Sequence, residues 1–562
     1  MIMRLAAAVF LSVLFGLSAV ARPATVILHG WDMLDVSPEE VLSHAEEFER
    51  TAADGVSLRI RKNAPDGRQL NSCRLYGSTN VWHWADVADY VPVFREIVRH
   101  RSLSCSMLNM WIVPKPHVDW RDDARWGLIA HNSAVVARVA SEGGLKGLII
   151  DEEDYGSAFQ FFVGPDDPPF DEAAALARRR GAQVFSEVFR AFPNATLLFF
   201  RLLASDPDYR RADGDPGAIV KAKGHLWPAF VNGILDVMPP TAVLVDGNES
   251  AGYRGEASRG DYWKSACQQR SAAFTMVAPE NQAKYRAQMR AGFGLYIDAY
   301  TMTNTSSAFF RGPVEGSRLS HFEENLSQAI LASDGLVWLY GEKSAWVPWK
   351  NVGCRRCQNA TTWDHALPGV TEMVCGVKDA QAFVSRRAAE LHAKGEFVEL
   401  VKNGGFASTN KTGVVGFRPG EVPPPFHVWH HPKYRGGVGR YGLDTTVGEG
   451  DSTSLCFDGV GKCVLFCSPQ LPTPATAGRH YGFRVSAKGA HVIVDAVWQL
   501  AGGETRSVPV HFAREDAEGW RHAAAALRVP ESTVGIKLTV TATLQDHEKA
   551  FVDNVSVFSL EY

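Results

Sequence analysis

Four consecutive carboxylates, Asp151, Glu152, Glu153 and Asp154, follow the apolar run Gly147-Leu148-Ile149-Ile150 and precede Tyr155. Carboxyl groups that share a pocket are the raw material of paired acid and base chemistry, because each changes the proton affinity of the other. The apolar run reads as a buried strand of a parallel sheet. Side chains alternate along a strand, which predicts Asp151 and Glu153 on one face and Glu152 and Asp154 on the other. The first pair is the candidate chemistry. The second is set aside as loop or helix-capping carboxylates.

Other apolar runs end in similar residue types. His29, Trp31 and Asp32 follow the first, Trp111 the third, Arg201 the fifth, and Asp246 and Glu249 the sixth. Tyr296, Asp298 and Tyr300 follow the seventh, and Tyr340, Glu342 and Trp346 the eighth. The candidate catalytic residues are Glu153, Asp151, Asp298 and Glu342. The candidate substrate-binding residues are His29, Trp31, Trp111, Tyr155, Arg201, Asp246, Tyr296, Tyr340 and Trp346. Glycosidic bond cleavage needs this inventory: one carboxylic acid, a second carboxylate, and aromatic faces to stack on sugar rings. It calls for no metal and no other cofactor in catalysis.

These residues need elements that bring them to one place. Between residues 24 and 350, eight apolar runs alternate with helical patterns. They begin at Thr25, Gly55, Leu108, Leu145, Thr196, Ala242, Gly292 and Gly335. Ser37-Pro38-Glu39-Glu40 has the form of a helix start, with Ser as N-cap and Pro in the first turn. Eight strands alternating with helices predict a (β/α)8 TIM barrel, whose chemistry sits at the carboxyl ends of the strands. An open doubly wound sheet is the runner-up, but no Gly-rich dinucleotide fingerprint follows the first run. After about residue 395 helical periodicity fades, and alternating runs such as His491 to Trp498 and Gly535 to Thr543 predict an all-β jelly-roll sandwich.

The expected division is a signal peptide over 1–21, the barrel over 22–395 and the sandwich over 396–562. Arg4, the apolar stretch Leu5 to Leu17 and Ala19-Val20-Ala21 have the form of a cleavable export signal. That predicts a secreted, periplasmic or cell-surface protein without a membrane span. A net charge of −4 gives no electrostatic support for a nucleic-acid partner. Fifteen Trp, 14 Tyr and 30 Phe in an exported chain suit a saccharide partner. Of nine Cys, Cys456, Cys463 and Cys467 cluster, and Cys354-x-x-Cys357 lacks the second pair a zinc site would need.

The fourth run resembles the corresponding strand of chitinase-like glycosidases and endo-N-acetylglucosaminidases, through Asp151-x-Glu153 with Tyr155 two residues on. The resemblance implies a (β/α)8 barrel with Glu153 as general acid and Asp151 orienting a substrate N-acetyl group. The two earlier acidic positions of that motif are apolar here, Ile149 among them. A wider clan of retaining barrel glycosidases is also similar. It implies Glu153 as acid/base and a nucleophile on the seventh strand, where Asp298 replaces the usual Glu and Glu342 is the alternative.

Asn403-Gly404-Gly405-Phe406 and Phe551 to Val557 resemble the opening and closing strands of galactose-binding-like carbohydrate-binding modules. That resemblance implies a structural calcium, although Ala407 replaces the usual acid. Trp429, His430, His431 and Tyr434 are a candidate sugar platform. The leading expectation is an exported glycoside hydrolase of a poly- or oligosaccharide. The alternative is a non-catalytic carbohydrate-binding protein on a degenerate barrel. A serine esterase is disfavoured, since no Gly-x-Ser-x-Gly elbow occurs.

Overall fold

The computed structural model describes residues 24–560, apart from 155–158, 204–215, 255–258, 272–274, 315, 350–360, 407–414, 431–438, 452, 470–475 and 513–514. Tyr155, Cys354, Cys357, Ala407, His431, Tyr434 and the export segment thus lie outside the described residues. The chain divides into two compact units, with the change at Val374 and Cys375.

In the first unit every expected apolar run is a strand. They are β1 Thr25–Gly30, β2 Gly55–Leu58, β3 Met107–Trp111, β4 Gly147–Asp151, β5 Thr196–Phe199 and β6 Val243–Asp246. Then come β7, in two pieces Met289–Ala291 and Phe293–Tyr296, and β8 Leu336–Gly341. All neighbours pair in parallel. The sheet runs from the second piece of β7 through β8 and β1 to β6, and ends on the first piece of β7. Its two edges are therefore consecutive parts of one segment, broken at Gly292, and the wall is nearly closed and barrel-like.

The interior is packed with side chains. Ile27, Met107, Ile149, Leu198, Val245 and Trp338, from six different strands, form one buried cluster with Phe200. Such layers are what fill an eight-stranded barrel. They also fix parity: a residue two positions after a cluster member points the same way. His29, Asn109, Asp151, Phe200 and Tyr340 are those residues. The helix start foreseen at Ser37 is present: its side chain accepts from the Glu40 amide at 3.2 Å and caps Pro38–Ser43. A short hairpin, Arg61–Asn63 against Gln69–Asn71, carries no signal read from the sequence.

The second unit is built on eleven antiparallel strands, β9 Phe417–Pro419, β10 Phe426–His430, β11 Arg440–Asp444, β12 Ser454–Asp458, β13 Cys463–Pro469, β14 His480–Gly489, β15 His491–Leu500, β16 Thr505–Val510, β17 Trp520–Arg528, β18 Thr533–Leu544 and β19 Lys549–Ser559. They form a six-stranded sheet, β9-β11-β12-β19-β14-β17, and a five-stranded sheet, β10-β13-β18-β15-β16. Their facing sides bury one core, including Phe457, Phe483, Trp498, Leu538 and Val557. The unit also owns a helix, Ala380–Lys394, whose Phe383, Val384, Ala388 and Leu391 cover Ala524, Ala526 and Phe558 on the outer side of the six-stranded sheet. Cys456 on β12 and Cys463 and Cys467 on β13 are buried thiols, with no disulfide between them. Among the described residues, no helix is long and apolar enough to cross a membrane.

Candidate active site

At the carboxyl end of β4 the strand stops at Asp151, and strand alternation stops with it. Asp151 is 2% exposed, and its Oδ1 accepts the Glu153 amide at 2.9 Å. That hydrogen bond turns the chain, so Glu152 and Glu153 both reach Arg201, just beyond β5. Arg201 Nε lies 3.0 Å from Glu152 Oε1, and Nη2 lies 3.1 Å from Glu153 Oε1. Glu152, set aside on parity, is thereby a member of the cluster. Its side chain is 6% exposed, against 21% for Glu153.

A fourth carboxylate arrives from β6. Asp246 is fully enclosed, and its Oδ1 accepts the amides of Leu202, at 3.3 Å, and Asn248, at 3.1 Å. Asn248 sits at φ 38°, a left-handed conformation that Asn tolerates through such a turn. The next residue, Glu249, is anchored by its amide to the Phe200 carbonyl at 3.0 Å, beside Arg201. Asp246 is therefore a bracket for this turn.

Burial dominates the electrostatics. It holds Asp151 well above the ordinary carboxylate range, with the charges of Glu153 and Glu152 adding to the effect. Glu152 is pushed up to about 7 by burial, against the pull of Arg201. Glu249 is also raised well above its ordinary value, first by burial and then by Glu153. Burial alone would lower the Arg201 guanidinium, but Glu152, Glu153 and Glu249 outweigh it and hold the charge on.

Aromatic groups wall the cluster on the β7 and β8 side. Tyr253, one helical turn after Glu249, hydrogen-bonds to it and packs on Tyr296 with centroids 4.9 Å apart. Tyr296 and Tyr340 stack at 5.4 Å. The Tyr340 hydroxyl donates to Glu342 Oε1 at 2.6 Å, and Trp31 Nε1 reaches the same oxygen at 3.2 Å. Asp298 is fully buried, and its Oδ2 accepts the Glu342 amide at 2.6 Å. An enclosed carboxylate in that state orients the β8 exit and has no open approach to a substrate. Asp32 likewise takes the indole N–H of Trp349 at 2.8 Å.

The floor below is aromatic. His29 packs against Phe200 at 5.1 Å and Tyr340 at 5.4 Å, and burial lowers it to about 3, so the ring is neutral. Trp338 stacks on Phe200 at 4.5 Å and donates to the Gly247 carbonyl at 2.9 Å. A Cβ at Gly294 would stand 2.6 Å from the Trp338 ring, so the indole fits because that position lacks one. Trp111 ends β3, in register with Asp151. Trp346 is buried beside Trp363 at 6.4 Å, and its indole N–H finds no acceptor among the described residues.

Glu152 and Tyr253 were not among the candidate residues read from the sequence, and Glu249 was noted only as following the sixth run. Glu249 and Tyr253 are spaced i, i+4 on the helix Glu249–Arg254, which puts them on one face. That spacing after the sixth strand is the signal that could have found them.

Among the described residues, no group of three or more His, Cys, Asp or Glu is placed to hold a metal ion. The acid of the closing strand, Asp553, accepts the Glu449 amide at 2.8 Å and the Asn554 amide at 2.7 Å, one on each oxygen. On the outer side of the five-stranded sheet, Trp429 stacks on Phe466 at 5.4 Å and on His427 at 5.6 Å, under Lys537.

No family model matches the chain, and no curated protein matches it. Several solved structures resemble part of it. TmCBM61 in complex with beta-1,4-galactotriose is 20% identical over 29% of this chain and 99% of its own, with a TM-score of 0.21. The C-terminal family 22 carbohydrate-binding module of Clostridium thermocellum Xyn10B is 13% identical over 25% of this chain and 88% of its own, with a TM-score of 0.20. The enzymatically active domain of bacteriophage CBA120 tailspike protein 4 is 13% identical over 29% of this chain and 21% of its own, at 0.21. Likeness at this level assigns no activity.

Proposed function

We propose that the barrel unit hydrolyses O-glycosidic bonds of a poly- or oligosaccharide outside the cytoplasm, with Glu153 and Glu249 as its two working carboxyl groups. One observation carries this reading. Asp151, Glu152, Glu153 and Glu249 gather around the single guanidinium of Arg201 at the strand ends, beside a wall of Tyr253, Tyr296 and Tyr340. Two carboxyl groups in unlike surroundings divide acid from base.

The roles follow from those surroundings. Glu249 is enclosed and raised well above its ordinary value, which suits the group that protonates the leaving oxygen. Glu153 is the more open and is ion-paired to Arg201, which suits the carboxylate that attacks or activates water. The acid's part thus passes from Glu153, where the family resemblance put it, to Glu249. Asp151 is occupied with the Glu153 amide, which favours a positioning part for it over contact with an N-acetyl group.

The test uses glycan substrates and aryl glycosides in parallel. Glu153→Gln should lower kcat on both by about 100-fold or more. Glu249→Gln should do so on glycans but spare dinitrophenyl glycosides, whose leaving group needs no proton. Equal losses for Glu249→Gln on both substrates would return the acid to Glu153. Unchanged hydrolysis in Glu153→Gln would overturn the reading, and binding without sugar release by the wild type would leave a carbohydrate-binding scaffold.

A further inference from the structure

At the amino end of the barrel strands, opposite the carboxylate cluster, a cleft of about 430 Å³ lies against the first piece of β7. That volume is in the range of small-molecule sites. Four segments line it. The helix Arg259–Ser271 gives Arg270, and the helix Gln282–Gln288 gives Tyr285 and Arg286. β7 gives Met289 and Arg290, and the turn before β8 gives Asp334. Among the described residues, three guanidinium groups thus share the lining with one carboxylate.

That carboxylate is already engaged on both oxygens. Asp334 Oδ1 takes Arg270 Nη2 at 2.7 Å, and Oδ2 accepts the Ala291 amide at 2.8 Å. The Asp334 amide donates in turn to the Ala291 carbonyl at 2.7 Å. Arg290 is fixed by the backbone around it. Its Nη1 donates to the carbonyls of Ala287, at 2.9 Å, and Met289, at 2.8 Å. Its Nε and Nη2 have no acceptor among the described residues, and neither is enclosed. One nitrogen therefore holds the guanidinium in place while the other two stay open to solvent. Tyr285, the one aromatic of the lining among the described residues, is fully buried and donates its hydroxyl to the Gln269 carbonyl at 2.9 Å.

We propose that this cleft binds a small molecule carrying a phosphate monoester. The charge imbalance selects the class. A phosphate monoester brings close to two negative charges and three acceptor oxygens, and guanidinium forks take such oxygens two at a time. A neutral ligand would leave the surplus positive charge unanswered, and a monocarboxylate would answer half of it. The buried Tyr285 offers no open ring face, so the hold comes from the phosphate and not from stacking. The occupant bridges the helix Gln282–Gln288, β7 and the turn at Asp334. It thereby fastens the foot of the segment that closes the wall.

The test is calorimetric titration of the full chain with glycerol 3-phosphate and inorganic phosphate, joined to hydrogen–deuterium exchange. Glycerate and glycerol are the monocarboxylate and neutral counterparts. Both phosphates should bind, more weakly as salt rises, and should protect the segments around 285–291 and 333–336. Arg290→Gln and Arg286→Gln should each weaken binding by about tenfold or more. Arg290→Lys, which keeps the charge and loses the fork, should fall between them and the wild type. Arg286 is exposed, so its variant keeps the test decisive if Arg290→Gln disturbs the turn that Nη1 holds. Glycerate binding as tightly as glycerol 3-phosphate, phosphate binding left unchanged by either glutamine variant, or no protection of these segments overturns the proposal.

Discussion

The Nη2 of Arg201 stands 3.1 Å from Glu153 Oε1, while the Nε of the same guanidinium holds Glu152 at 3.0 Å. One cation thus serves two adjacent carboxylates from the neighbouring strand, with Glu249 adding to its field. A fork is suited to this task, since its donors are fixed in one plane.

Removing that fork should move the pH dependence of activity. Arg201 opposes the burial that pushes Glu152 up to about 7, so Arg201→Met lets the carboxyls of the cluster rise further. The acidic limb of the kcat/KM profile should shift upward by on the order of 1 pH unit. Arg201→Lys should fall between the two. A pH–rate profile that does not move in Arg201→Met removes the electrostatic role.

Asp32 should leave a signature in stability. Burial pushes it up to about 6 in the folded chain from an ordinary 3.8. Between those values the folded state keeps a proton that the unfolded state has lost. Wild-type stability relative to Asp32→Asn should therefore fall as pH rises from about 4 to 6, by up to about 1.4 kcal/mol per pH unit, and level off above. Urea unfolding of both proteins across that range measures it.

The space around Trp338 makes a packing prediction. Gly294→Ala forces a Cβ to 2.6 Å from the indole, which is held by Gly247 and Phe200. A loss of about 1–3 kcal/mol is expected, with a changed near-ultraviolet dichroism. Gly127→Ala, in the helix Asp123–Glu142, meets nothing within 4 Å and should be neutral or slightly stabilising.

A fourth prediction concerns where the second unit begins. A fragment starting at residue 396 lacks the helix that covers Ala524, Ala526 and Phe558. It should melt at a lower temperature than one starting at 375 and bind more of a hydrophobic dye. Each large apolar side chain uncovered costs roughly 1.5–3 kcal/mol. Equal melting temperatures would mean that the helix contributes nothing to the sandwich.

All eight barrel strands were legible in the sequence because each is an apolar run flanked by polar breaks. Parity also placed Asp151 inward, since Ile149 two residues earlier lies in the barrel core. It failed at Glu152 because alternation is a property of strands, and the strand ends one residue sooner. Glu249 was visible as an exit residue of the sixth run. Its approach to Arg201 depends on the left-handed turn at Asn248, which no local pattern announces. Asp298, a candidate nucleophile with Glu342 as the alternative, is buried and accepts the Glu342 amide, a contact between strand ends that no local pattern announces. The export segment and Tyr155 fall outside the described residues.

The break at Gly292 has a mechanical consequence. The residues before it hydrogen-bond β6, and those after it hydrogen-bond β8, so both edges of the wall are fastened by one segment. Peeling the whole segment away would free a strand edge on both β6 and β8. The seam is thus the one segment that fastens both edges of the wall. The amide protons of Met289 to Tyr296 should exchange together, as one cooperative unit that reports whether the whole wall is closed.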